Sequence, residues 1–169
     1  MRFQLEPLLS PEEARAMARQ LLAESEGWQS GRDTAGWHAR AVKSNRQLNR
    51  ACALHRQLAE GLEERLLAQP LLQAAAFPRR IHGLLFSRSG PGEGYGRHVD
   101  NAWMAGGRSD LSFTLFLSEP SAYEGGELVL ESPHGEEAFR LAAGEALVYP
   151  STLLHRVEPV TSGERLGAV

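Results

Sequence analysis

The sequence predicts an α+β fold, with helices in the first half buttressing an antiparallel sandwich or jelly-roll barrel in the second. Two observations carry that expectation. Apolar residues recur at helical spacing up to Ala76, and from Ile81 onward they give way to many short strand-like runs separated by turn residues. A third bounds it: 169 residues, 42% of them hydrophobic, suit one domain with a real core, and no repeat, low-complexity tract or linker divides them. The expected organisation is a single domain over 1–169, with 1–78 mainly helical and 79–169 forming the β core.

Taken in order, the elements have local causes. Ser10-Pro11-Glu12-Glu13 is a helix start: Ser10 caps, Pro11 sits where a missing N–H costs nothing, and Glu13 completes a capping box. Ala14, Met17, Ala18, Leu21 and Leu22 continue it up to Gly27. Residues 28–42 are glycine-broken and predict two short strands or a loop. A second helix is expected from about Arg46 to Gln69, with Leu48, Cys52, His55, Leu58, Leu62 and Leu66 along one face. That face reads as packing on the chain's own sheet in preference to a partner groove. Pro70 interrupts it, and 71–76 adds a further turn or two. Strands are then expected over 81–86, 111–117, 127–131, 138–141, 146–149, 153–157 and 165–169, with Gly125-Gly126 giving a tight backbone path.

Composition excludes several classes. A net charge of −3 offers no reason to propose a nucleic-acid partner. A single cysteine, Cys52, builds no internal disulfide framework and fits a reducing compartment. No apolar run approaches the roughly 18 residues that span a bilayer, and Met1 to Pro7 reads as neither signal nor transit peptide. The expected location is the cytoplasm, without membrane attachment.

The chemistry centres on His98-Val99-Asp100. In a strand, residues i and i+2 share a side, so an imidazole and a carboxylate can converge on one cation. His155, in another strand-like segment, supplies a third ligand. Two histidines and one carboxylate on one face of a metal, with other positions open, suit non-haem Fe(II). Ten residues past His155, after Thr161-Ser162-Gly163-Glu164, stands Arg165 at the head of a strand. Its planar fork can grip a carboxylate through two parallel hydrogen bonds. A compound that chelates the metal at one end and offers a carboxylate at the other, as 2-oxoglutarate does, would span the two. His38, His55, His82 and His134 read as ordinary surface or core histidines.

Tyr95-Gly96-Arg97-His98-Val99-Asp100-Asn101, Asp110-Leu111-Ser112, Thr114 to Ser118, Tyr123 to Leu128, His155-Arg156-Val157 and Gly163-Glu164-Arg165-Leu166, with Val42-Lys43-Ser44-Asn45 upstream, resemble the PKHD-type hydroxylases. These are bacterial relatives of prolyl and lysyl hydroxylases in the Fe(II)/2-oxoglutarate dioxygenase superfamily. The resemblance covers nearly the whole chain. It implies a double-stranded β-helix (jelly roll) with His98, Asp100 and His155 on Fe(II) and Arg165 on the distal carboxylate of 2-oxoglutarate, with L-ascorbate as a reductant. The activity implied is hydroxylation using O₂, with decarboxylation of 2-oxoglutarate to succinate and CO₂. The substrate class stays open between a small molecule and a peptide or protein side chain.

Tyr95 either faces the pocket with its hydroxyl near the cofactor or packs at a strand start. Asn101, Trp103 and Arg108, in the loop after Asp100, lie where a substrate would enter, or are ordinary loop residues. Members of the family continue past the Arg165 strand, whereas this chain stops at Val169, so an incomplete barrel with an unpaired edge is expected there. The rival readings are a cupin-like metalloprotein that does not use 2-oxoglutarate and a catalytically inactive binding module.

Overall fold

The structure is a computed structural model that describes all residues except 1, 6, 37, 38 and 105; His38 therefore lies outside the described residues. In chain order the elements are β1 (Phe3–Leu5), α1 (Pro11–Ala23), β2 (Trp28–Ser30), β3 (Lys43–Ser44), β4 (Arg46–Leu48), α2 (Ala53–Ala68) and α3 (Pro70–Ala76). There follow β5 (Phe86–Ser89), β6 (Gly94–His98), β7 (Trp103–Met104), β8 (Gly107–Arg108), β9 (Leu111–Phe116) and β10 (Tyr123–Gly125). The last six are β11 (Leu128–Ser132), β12 (Gly135–Phe139), β13 (Ala146–Pro150), β14 (His155–Val157), β15 (Val160–Gly163) and β16 (Arg165–Ala168).

Two antiparallel sheets form the jelly roll. The larger has the order β1-β13-β9-β16-β5-β4-β2 and the smaller β12-β11-β14-β6-β3, with two-stranded ribbons β10-β15 and β7-β8 beside them. Strand periodicity divides the larger sheet's side chains between two cores. Leu115, Val148 and Leu166 join Leu21, Leu58, Leu62 and Leu66 of the helices in one cluster. Their neighbours Phe116, Leu147 and Tyr149 join Leu128 and Leu130 of the smaller sheet in the other. The helices thus cover one face of the larger sheet, as the apolar stripe of α2 anticipated. Each fully buried leucine there is worth roughly 1.5–3 kcal/mol.

The Ser10 cap forms as expected: its hydroxyl accepts from the Glu13 N–H at 3.2 Å, and the Glu13 carboxylate accepts from the Ser10 N–H at 2.8 Å. The start of the second helix does not. Residues 46–48 form strand β4, paired with β2 and β5, and the helix begins at Ala53. The Asn49 side chain accepts from the Ala51 N–H, and the Cys52 N–H donates to the Asn49 carbonyl, making a turn at that point. Leu48 is buried as a strand residue, so burial alone did not distinguish the two conformations.

Two further expectations shift. The strand predicted over 81–86 begins at Phe86, because the Leu84 carbonyl is taken by His55 Nε2 (3.0 Å) and pairing with β16 starts there. Gly94 to Gly96, absent from the expected strands, open strand β6. The N-terminal part also supplies four strands to the two sheets. The unpaired edge expected near Val169 is absent: β16 pairs with β5 on one side and β9 on the other. No helix among the described residues is long and apolar enough to cross a membrane.

Candidate metal centre and cosubstrate pocket

Strands β6 and β14 lie side by side in the smaller sheet with His98 opposite His155. The imidazole centroids are 4.2 Å apart. Asp100 lies beyond the end of β6, so strand alternation does not place it. Its backbone N–H donates to the Ser151 carbonyl (2.9 Å), and its Oδ2 accepts from the Ser112 hydroxyl (2.6 Å). These two bonds carry its carboxylate to 3.6 Å from His98 Nε2 and 3.7 Å from His155 Nε2. One donor atom from each residue lies within 4.8 Å of the others.

Both rings are oriented from behind. His98 Nδ1 lies 2.8 Å from the Gly96 carbonyl and His155 Nδ1 2.9 Å from the Leu153 carbonyl. A carbonyl only accepts, so each Nδ1 carries the proton and each Nε2 presents a lone pair toward Asp100. Burial pushes His155 below its ordinary value, outweighing the pull of Asp100, which favours the neutral ligand form. For Asp100 burial acts upward, but the two adjacent imidazoles and the Ser112 hydroxyl outweigh it and hold the carboxyl low. The chemistry of this donor set fits a divalent iron with open positions.

All three residues line a cavity of about 820 Å³, within the range of ligand sites. Arg165 lines it too, from the larger sheet, and only 3% of it is exposed. Its Nε and Nη2 are buried without a hydrogen-bond partner among the described residues, while its guanidinium lies 5.5 Å from the Phe116 ring centroid. The Tyr123 hydroxyl lies close enough to interact with its charge, yet also lacks a partner. Buried donors left open in this way cost free energy unless an acceptor arrives. A carboxylate is the acceptor that fits a guanidinium fork. Gly126, at φ +67°, gives Arg165 its room: a Cβ there would stand 3.0 Å from Arg165 Cδ. Gly125, at φ +69°, could carry no Cβ either, which would meet the Pro159 carbonyl oxygen at 2.3 Å.

The structure places the remaining sequence candidates as follows. Tyr95 lines the cavity and stacks on the His98 ring, with centroids 3.6 Å apart and planes at 19°. Asn101, Trp103 and Arg108 also line it; Trp103 is 66% exposed, and Arg108 is paired with Asp110. His55 is a satisfied core histidine edge-on to Phe86, His82 accepts from Arg80 Nε, and His134 is exposed in the β11–β12 hairpin.

Sequence reasoning passed over Ser112, Tyr149 and Lys43. Tyr149 is buried, bonds to Thr114 Oγ1 at 3.3 Å and meets the His155 ring edge-on. Lys43 had a legible signal: Lys43, Asn45 and Gln47 alternate, and all three line the cavity.

A jelly roll carrying two histidines and a carboxylate beside a buried arginine with open donors defines the class of 2-oxoglutarate-dependent Fe(II) oxygenases. The profile of the 2OG-Fe(II) oxygenase superfamily matches residues 84–169. A PKHD-type hydroxylase of Prochlorococcus marinus (strain MIT 9303) is 48% identical over 165 residues, 98% of this chain and 75% of the relative. One from Picosynechococcus sp. (strain ATCC 27264 / PCC 7002 / PR-6) is 50% identical over 169 residues, covering all of this chain and 76% of the relative. Among solved structures, a Pseudomonas putida prolyl-4-hydroxylase superposes with a TM-score of 0.64 at 22% identity, over 99% of this chain and 89% of that one. A Trichoplax adhaerens prolyl hydroxylase in complex with a hypoxia inducible factor peptide fragment gives 0.65 at 17%, over 99% and 80%. The chain belongs to the 2OG-Fe(II) oxygenase superfamily and, within it, to the PKHD-type hydroxylases. It is a 2-oxoglutarate-dependent dioxygenase, for which Fe(II) is the implied cofactor and 2-oxoglutarate and O₂ the implied cosubstrates.

Proposed function

We propose that His98, Asp100 and His155 hold Fe(II), that Arg165 grips the distal carboxylate of 2-oxoglutarate, and that the enzyme hydroxylates an organic substrate. The observation that carries this reading is one cavity that holds both the three-residue donor set and a buried arginine with open donors. When bound, Fe(II) with 2-oxoglutarate and O₂ supplies the oxidising power, releasing succinate and CO₂ as oxygen enters a substrate C–H bond.

The chain's own residues then bind, orient and exclude. The Gly96 and Leu153 carbonyls keep both Nε2 lone pairs on the metal side. Ser112 keeps Asp100 turned inward and ionised. Arg165 fixes the length and direction of the keto acid, and the Phe116–Leu128–Tyr149 cluster keeps that wall apolar. No side chain is needed as a general base. Tyr95, stacked on His98, restrains that ligand and borders the cosubstrate space. Asn101, Trp103 and Arg108 border the substrate entrance.

A peptide or protein side chain is one candidate substrate, since a prolyl hydroxylase of the same fold carries a peptide; a small molecule is the other. Ascorbate, expected as the reductant that keeps iron divalent, belongs to the same proposal. So does the cytoplasmic location, which rests on the single Cys52.

Uncoupled turnover tests the reading. Purified protein with Fe(II) and 2-oxoglutarate should consume O₂ and form succinate without added substrate, faster with ascorbate. A protein that binds Fe(II) but forms no succinate under these conditions would instead be a cupin-like or inactive binder.

A further inference from the structure

The chain carries a net charge of −3, yet its cavity is cationic. Lys43, Arg79, Arg80, Arg108 and Arg165 line it, against only Asp100 and Asp110. Three of these seven are accounted for by one another or by the metal: Arg108 pairs with Asp110, and Asp100 faces the histidines. Arg165 is set aside for the keto acid under the function proposed above, on which this inference rests. Arg79 and Arg80 line the cavity from exposed positions, with Arg80 Nε donating to His82. Lys43 remains, deep inside.

Lys43 is only 4% exposed. Its ammonium donates to Thr34 Oγ1 at 3.2 Å and lies 4.8 Å from the Tyr95 ring centroid. Among the described residues no carboxylate forms an ion pair with it, and the Thr34 hydroxyl is its one hydrogen-bond acceptor. Thr34 Oγ1 is itself bonded to the Gly31 carbonyl and Gln47 Oε1, which fixes the hydroxyl that the ammonium meets. An ammonium out of water and without a counter-ion is unfavourable, and burial holds Lys43 down to about 8 against the upward influence of Asp100. Once a divalent ion sits on Asp100, even that influence is neutralised, and an anion from outside becomes the natural partner.

Topology separates this cation from the one assigned to 2-oxoglutarate. Arg165 stands on β16 of the larger sheet, whereas Lys43 stands on β3, the edge strand of the smaller one. Lys43 is paired in register with Tyr95, whose ring stacks on His98, so the order is Lys43, Tyr95, His98. We propose that the substrate of this hydroxylase bears a carboxylate, and that Lys43 seats it beside the metal while Arg79 and Arg80 draw it in at the mouth. A lone ammonium matches one monoanionic carboxylate and underserves a phosphate dianion.

The test uses the protein loaded with 2-oxoglutarate and with Zn(II) in place of Fe(II), so that binding is read without turnover. The probes are N-acetyl-α-amino acids and their primary amides, compared by ligand-observed NMR. Acids should bind and amides should not. Lys43→Gln should weaken acid binding by about tenfold or more, and Lys43→Arg should restore part of it. Affinity for 2-oxoglutarate should stay unchanged in both variants. Equal binding of acids and amides, no acid binding to the wild type, or undiminished binding to Lys43→Gln would each overturn the proposal. So would a loss of 2-oxoglutarate affinity in Lys43→Gln, which would assign Lys43 to the cosubstrate. Failure of wild type to bind 2-oxoglutarate at all is a separate result and overturns the underlying function. Thermal melting checks folding, and Lys43→Met should melt higher than wild type while losing acid binding, which a purely structural lysine would not do.

Discussion

His155 and Arg156 are neighbours on β14, yet they face opposite surroundings. Outside, Arg156 meets Glu131 at 3.0 Å, Glu136 at 2.7 Å and Glu158 at 2.6 Å, and Arg97 shares Glu131. Inside, Arg165 and Lys43 are more deeply buried than either and have no carboxylate partner among the described residues. The difference separates two uses of charge. On the outer face the chain supplies both members of each pair, so the charges serve the sheet. For Arg165 and Lys43 it supplies one member, and the proposed function assigns the other to ligands.

The strongest way to break the inner half of that comparison is to remove the one anionic member of the proposed metal site. Asp100→Ala leaves two neutral imidazoles and should abolish Fe(II) retention after desalting, with His98→Ala and His155→Ala following it. Metal content equal to wild type in Asp100→Ala would show that the donor set is assigned wrongly. Arg165→Gln comes next. Losing one partner of a buried charge pair costs on the order of 2–5 kcal/mol, roughly thirtyfold or more in affinity. Calorimetric titration should show that loss for 2-oxoglutarate, a smaller one in Arg165→Lys, and unaltered metal affinity in both.

Stability against pH gives a third measure. Lys43 titrates near pH 8 in the fold and near 10.5 when unfolded. Between those values the unfolded chain binds more protons, so this group makes stability rise with pH, and below about pH 8 its unfavourable contribution is complete. Lys43→Met should erase up to about 3 kcal/mol of that rise. Denaturant melts of both proteins at pH 7 and pH 10 should converge at the higher pH; a constant gap would mean that Lys43 is not buried as a charge. The smallest effect belongs to the outer face. Arg97→Ala removes an exposed pair whose Glu131 keeps Arg156, and the melting temperature should not move measurably. A large drop would erase the distinction between the two faces.

Much of this protein was determined by short-range sequence alone. The Ser10-Pro11-Glu13 cap, the α2 stripe and the alternation of 111–116 act through neighbours a few residues apart, and all appear in the structure. The pairing of His98-x-Asp100 with a distant His155 is legible because those residue types suit a metal, and their convergence is what the sheet supplies. What depended on pairing with remote chain was not legible. Residues 46–48 have a helical pattern, but β2 and β5 lie ready on either side and take them as a strand. The β10–β15 ribbon is missing from the expected strands, since its hydrogen bonds join Tyr123–Gly125 to residues near 160. The final strand was expected to lie at an open edge, yet β5 and β9 enclose it. The alternation of Lys43 with Asn45 and Gln47 is visible in the chain, but the burial of Lys43 follows only from β3 lying beside β6, with Tyr95 and Thr34 against its ammonium. Local hydrogen bonds and side-chain period are written in consecutive residues, whereas burial and strand partnership are properties of what the rest of the chain brings alongside.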